Sequence, residues 1–172
     1  VASLEWVQDN IEAFGGDPDN VLIFGESGGG WKVSTLMAMD AASGLFHKAV
    51  AQSGPGLEML MPDQVQPASA ALLAELGLNE DNIDQIRALP AEEISAAALR
   101  LAAGGLRIGT RPVVDGVHLN RHPFSPDAPA QSMDIPLLIG STQTEMSLLA
   151  GAGKPELFDL TWETLPAALK VG

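Results

Sequence analysis

VLIFGESGGGWKV, residues 21–33, decides how the rest of this chain reads. An apolar run, Val21 to Phe24, breaks into Gly25-Glu26-Ser27-Gly28-Gly29-Gly30. A continuous apolar run of this length fits a strand buried on both faces of a parallel sheet. Val33, Leu36 and Met37 then follow helical spacing. The stretch therefore predicts a strand, a sharp turn carrying one serine, and a helix. Three glycines in the first turn of a helix cost about 1 kcal/mol each against alanine. Such a cost points to a demand for space.

A nucleophilic serine supplies that demand. Its hydroxyl has to stand clear of the sheet, near a base and near donors for an oxyanion. A tight strand-to-helix turn achieves this, and it brings the residues two before and two after the serine into close backbone contact, hence G-x-S-x-G. The helix that follows directs its first N–H groups at the same spot. A phosphate loop fits less well, because no Gly-Lys-Ser/Thr closes the glycine run and Lys32 is followed by Val33. A dinucleotide fingerprint fails as well, since Val33 stands where its last glycine is required. On these residues alone, a plain tight turn stays open as the alternative.

Outward from the turn, Leu4, Val7, Ile11 and Phe14 share one helical face, Gly15-Gly16 stops that helix, and Asp17-Pro18-Asp19-Asn20 makes a turn. KAVAQSG, 48–54, reads as a second buried strand. Helix, strand, helix, strand over 2–54 is a βαβ pattern with a helix before it. Residues 57–105 turn rich in Ala, Leu and Glu. Their spacing predicts helices over Pro67 to Leu76, Asn82 to Leu89 and Ala91 to Ala103, a cap-like helical excursion within one domain, 1–172. RPVVDGVHL, 111–119, predicts a hairpin around Asp115-Gly116. IPLLIGSTQTEM, 135–146, predicts another buried strand that ends in polar residues.

Composition bounds the function. The chain has 172 residues, 46% of them hydrophobic, enough for one packed domain. Nine basic against 22 acidic residues give a net charge of −13, which disfavours nucleic acid and anionic membrane surfaces as partners. No apolar run approaches the ~20 residues of a membrane-spanning helix. There is no cysteine, which excludes disulfides, thiol catalysis and cysteine-based metal sites and leans toward a cytoplasmic location.

At this point the chain resembles the type-B carboxylesterase family, which includes para-nitrobenzyl esterases and cholinesterases. LEWVQDNIEAFGGDPDNVLIFGESGGG, 4–30, is similar to that family's block through the nucleophile, and GLFHKAVAQSG, 44–54, to its next helix end and strand. RPVVDGVHL and IPLLIGSTQTEMSLL resemble its later hairpin and acid-bearing strand. The resemblance runs in order over about residues 3–150 and implies a partial α/β-hydrolase fold. It implies a serine esterase acting on small-molecule esters through an acyl-enzyme on Ser27, without metal or cofactor; the alternative is a non-catalytic binding or adhesion relative on the same fold, against which the presence of Ser27 and Glu145 argues. Glu145 would be the triad acid, Gly28 would give one oxyanion N–H, and Glu26 and Ser53 would support the histidine and the acid.

Departures from the family pattern matter too. In this fold the triad runs Ser, acid, His, yet His47, His118 and His122 all precede Glu145. The base is expected outside this segment, as is the upstream glycine-rich oxyanion loop. The resemblance thus implies the middle piece of an esterase, inactive in isolation. Met146 replaces a glycine common in the family, Gly28 replaces an alanine, and Trp31-Lys32 replaces a small pair. Trp31 is expected to pack rather than to touch substrate.

Overall fold

The computed structural model describes residues 1–172 apart from 107, 146, 148–150, 152 and 169–172. Three strands, β1 (Leu22–Glu26), β2 (Lys48–Gln52) and β3 (Leu137–Gly140), form a parallel sheet in that order. Ile23 pairs with Ala49 and Ala49 with Leu137, so the three strands run level. Helix α1 (Ala2–Asn10) precedes β1, and α2 (Gly28–Ala38) connects β1 to β2.

Helix α2 buries Gly30, Val33, Ser34, Met37 and Ala38, one stripe at helical spacing. Val33 and Met37 join Ile23, Ala42, Phe46, Ala49 and Ala51 in the main core. Burying a side chain of that size contributes about 1.5–3 kcal/mol. Ala38 faces a second cluster with Met59, Val114 and Leu119, against which Trp31 packs. The buried Ser34 hydroxyl accepts from the Gly56 N–H at 3.1 Å and ties the chain beyond β2 to this helix.

The sheet departs from the expectation of burial on both faces. Ile23, Ala49 and Ala51 are buried against α2, whereas Phe24 is 73% and Leu138 66% exposed on the other face. No described element covers that face. Helix α1 is also shorter than its sequence face: residues Ile11–Phe14 tighten into a 3-10 turn, and Phe14 sits in solvent with its ring centroid 5.8 Å from that of Trp6. Gly15, at φ 80, ends the turn as its sequence predicts.

Helix α3 spans Pro62–Glu75 rather than starting at Pro67. Pro62 occupies the first turn, where no N–H is required, and Gln64 accepts from the Met61 N–H at 2.8 Å, so the start is fixed one turn earlier. Gly77, at φ 69, terminates it. Glu80–Ala88 is 3-10 rather than α-helical, with a kink at Asn82, whose side chain accepts from the Asn79 N–H. Helix α4 (Ala91–Ala103) has the predicted bounds and meets α3 through the Arg100–Glu75 ion pair.

No hairpin forms at 111–119. Val113 makes a parallel bridge to Leu60, and the Asp115 carboxylate accepts from the N–H groups of Val117, His118 and Leu119. One side chain thus gathers the donors that a hairpin ladder would have used. Among the described residues no helix is long and apolar enough to cross a membrane.

Candidate active site

Ser27 follows β1 directly and caps α2, with the Trp31 N–H donating to its carbonyl at 3.2 Å. Its φ of 53° and ψ of −116° lie outside the regions open to ordinary residues, a strain of order 1–3 kcal/mol that the surrounding structure must hold. The Ser27 hydroxyl makes no capping bond to the helix and is exposed. Its N–H continues the sheet ladder, donating to the Gln52 carbonyl at 2.8 Å.

The glycine requirement matches G-x-S-x-G at Gly25 but not at Gly29, and it extends to two glycines outside the motif. A Cβ on Gly25 would strike the backbone of Gly29, one on Gly30 would lie 2.8 Å from the Gly54 carbonyl oxygen, and one on Gly54 would strike the Ser27 carbonyl. Around Gly28 and Gly29 there is open space. The turn is therefore clamped at Gly25, Gly30 and Gly54, and Gly54 was not singled out from sequence. Its signal was present in Ser53-Gly54, immediately after the second strand.

Ser53 repeats the positive φ of Ser27 one strand over, at φ 54, and its N–H donates to the Gly140 carbonyl at 2.8 Å. Beyond β3, Glu145 accepts from both the N–H and the hydroxyl of Thr142, at 2.8 and 2.9 Å. The N–H of Thr142, then its hydroxyl, then more weakly the Ser53 hydroxyl hold the Glu145 carboxyl below its ordinary value, against a small opposing effect of desolvation. Thr142 was missed from sequence, although Thr-x-x-Glu is the spacing of a capping box.

Ser27, Gly28, Ser53 and Glu145 line one open cavity of about 490 Å³, together with Trp31, Lys32, Thr110, Arg111 and Pro112. Gly28 opens α2, so its N–H is among the helix's unpaired first donors. Glu26 ends β1 beside Ser27, exposed and off the cavity wall. Trp31 both packs on the second cluster and lines the cavity. Met146 lies outside the described residues.

None of the three histidines lines the cavity. His47 precedes β2 and accepts from the Val21 N–H at 3.2 Å, at the opposite end of the strand from Ser53. Six residues of strand span about 20 Å, so His47 cannot reach Ser27. His122 accepts from the Met59 N–H, and His118 pairs with Asp115 in an exposed loop.

A seryl hydroxyl, unpaired helix N–H groups and a hydrogen-bonded carboxylate around one cavity form most of the apparatus for acyl transfer. The carboxylesterase family model matches residues 1–161. The para-nitrobenzyl esterase of Bacillus subtilis is 42% identical over 98% of this chain and 35% of its own length. The human cocaine esterase is 38% identical over 87% and 26%. Among solved structures, a para-nitrobenzyl esterase matches at a TM-score of 0.79, with 40% identity over 86% of this chain and 32% of that one. A Geobacillus stearothermophilus carboxylesterase matches at 0.80, with 37% identity over 98% and 34%. The chain thus spans about a third or less of the length of these relatives. Its parallel sheet and flanking helices are part of an α/β-hydrolase fold, and by sequence and fold alike the chain belongs to the carboxylesterase family.

Proposed function

We propose that this chain carries the nucleophile and the acid of a serine carboxylic ester hydrolase. The observation that carries the reading is the strained Ser27, placed on the same cavity wall as a carboxylate already fixed by two hydrogen bonds. In this reading Ser27 Oγ attacks the ester carbonyl carbon while its proton passes to an imidazole. The tetrahedral oxyanion takes the Gly28 N–H as one donor. The C–O bond to the alcohol then breaks, the alcohol leaves with that proton, and water releases the acid from the acyl-serine by the same steps. Glu145 orients the imidazole and stabilises its cationic form. Ser53 helps to hold Glu145, and Glu26 adds negative charge near the imidazolium. No metal or cofactor takes part.

The imidazole in this mechanism belongs to a histidine outside these 172 residues, because His47, His118 and His122 lie off the cavity. The 172-residue chain alone is then inert. The test is hydrolysis of a para-nitrobenzyl ester by protein from the complete reading frame, beside its Ser27→Ala variant and the isolated chain. Turnover by the complete protein alone supports the reading. Equal rates with and without Ser27 contradict it.

A further inference from the structure

The cavity holds two cations that acyl transfer does not use. Lys32 and Arg111 both line it, and among the described residues neither has an acidic partner. The Arg111 guanidinium lies over the Trp31 ring, 4.9 Å from its centroid. The negative face of the ring attracts the cation and uses none of its N–H groups, which stay open to a ligand. Both supports are anchored. Trp31 is in the first turns of α2 and packs against the cluster of Ala38, Met59, Val114 and Leu119. Arg111 precedes the segment tied to Leu60, whose N–H donates to the Pro112 carbonyl at 3.2 Å while its carbonyl accepts from Val114 at 2.8 Å.

Lys32 Nζ reaches back to the Gly28 carbonyl at 3.5 Å, which keeps its charge beside the first turn of α2. The carboxylate sharing the cavity, Glu145, is held by Thr142 and forms no ion pair with either cation among the described residues. Arg111 also lines a second cavity of about 220 Å³ with Leu60, Val65, Ala68 and Ile108. Arg111 thus borders both cavities, the one that Ser27 lines and the smaller one.

We infer that Arg111, held over the Trp31 ring and assisted by Lys32, selects esters that carry a second, ionised carboxylate a few atoms from the ester carbonyl. This inference rests on the esterase reading and names the substrate class of that site. The chain's net charge of −13 would repel such a substrate at long range, but at physiological salt exposed charges are screened over about 8 Å. Inside the cavity the two cations outnumber its one carboxylate, Glu145, which Thr142 already holds, and a charge-assisted, forked contact to a carboxylate is what a guanidinium makes best.

The test compares acetyl esters of matched shape, 4-acetoxybenzoate and 4-acetoxybenzamide, with protein from the complete reading frame. The para position keeps the carboxylate from assisting its own hydrolysis. The ratio of kcat/KM for the anionic over the neutral ester should fall about five- to tenfold in Arg111→Gln, chiefly through KM, and recover in part in Arg111→Lys. Raising the salt should shrink the ratio in the parent protein and leave that of Arg111→Gln nearly level. The same ratio in the parent, Arg111→Gln and Lys32→Gln, with both esters turned over, overturns the anion preference and leaves the esterase reading standing. Neither ester hydrolysed by folded parent protein overturns both.

Discussion

Ser27 and Ser53 stand one residue beyond adjacent parallel strands with nearly the same left-handed φ, 53 and 54, and among the described residues they are the two non-glycine positions with positive φ. Each still donates its N–H to the next strand, to Gln52 and to Gly140. The sheet ladder thus runs one residue past the strands and holds both serines in a conformation they would not adopt alone. Replacing Ser27 by glycine relieves the strain, whereas alanine keeps it. Ser27→Gly should therefore be more stable than Ser27→Ala by about 1 kcal/mol in urea unfolding, and both should lack esterase activity.

The glycines around Ser27 should separate into two groups. Gly28→Ala meets open space and gains up to about 1 kcal/mol of helix propensity, with its N–H retained. Gly30→Ala pushes against the Gly54 carbonyl and should cost about 1–3 kcal/mol. Gly25→Ala, which meets the Gly29 backbone, should be the most damaging of the three. Denaturant midpoints for the three variants check the order.

Glu145 should leave a mark on acid stability. Its carboxyl titrates below the ordinary value of 4.5 because Thr142 and Ser53 donate to its charged form. The stability this adds is fully present above pH 4.5 and is lost as the pH falls through the lowered folded value. A melting-temperature series from pH 7 downward should fall less steeply below pH 4.5 in Glu145→Gln than in the parent. Parallel curves would remove Glu145 from this role.

The three histidines should be dispensable for catalysis. Loss of a triad histidine lowers kcat by on the order of 10⁶. His47→Gln, His118→Gln and His122→Gln, in protein from the complete reading frame, should each keep kcat within about twofold, as expected of side chains off the reacting atoms. A loss of a thousandfold in any one would identify the base within this chain.

How much was legible in the sequence follows from the range of each interaction. The β1–α2–β2 order was readable because strand and helix periods are local: Val33 and Met37 are buried at the spacing their sequence shows. Helix α4 was readable to its ends, between Pro90 and Gly104. The clamp at Gly54 was not, since it depends on a contact with Ser27 that only pairing of β1 with β2 creates. The loop after Val113 was misread because Asp-Gly marks a hairpin turn by composition, while the Asp115 side chain takes up the donors instead. Burial of both sheet faces was expected from apolar runs, which report what a strand can bury and not whether a neighbour covers Phe24 and Leu138. Lys32 and Arg111 are 79 positions apart, and their shared cavity has no sequence signature.

The account rests on Ser27 as an activated nucleophile, and fluorophosphonate labelling tests that most directly. Protein from the complete reading frame would be labelled, digested and analysed by mass spectrometry to locate the adduct. The account predicts one adduct, on Ser27, and none in Ser27→Ala. Folded protein that takes no label, or takes it on another serine, would contradict it.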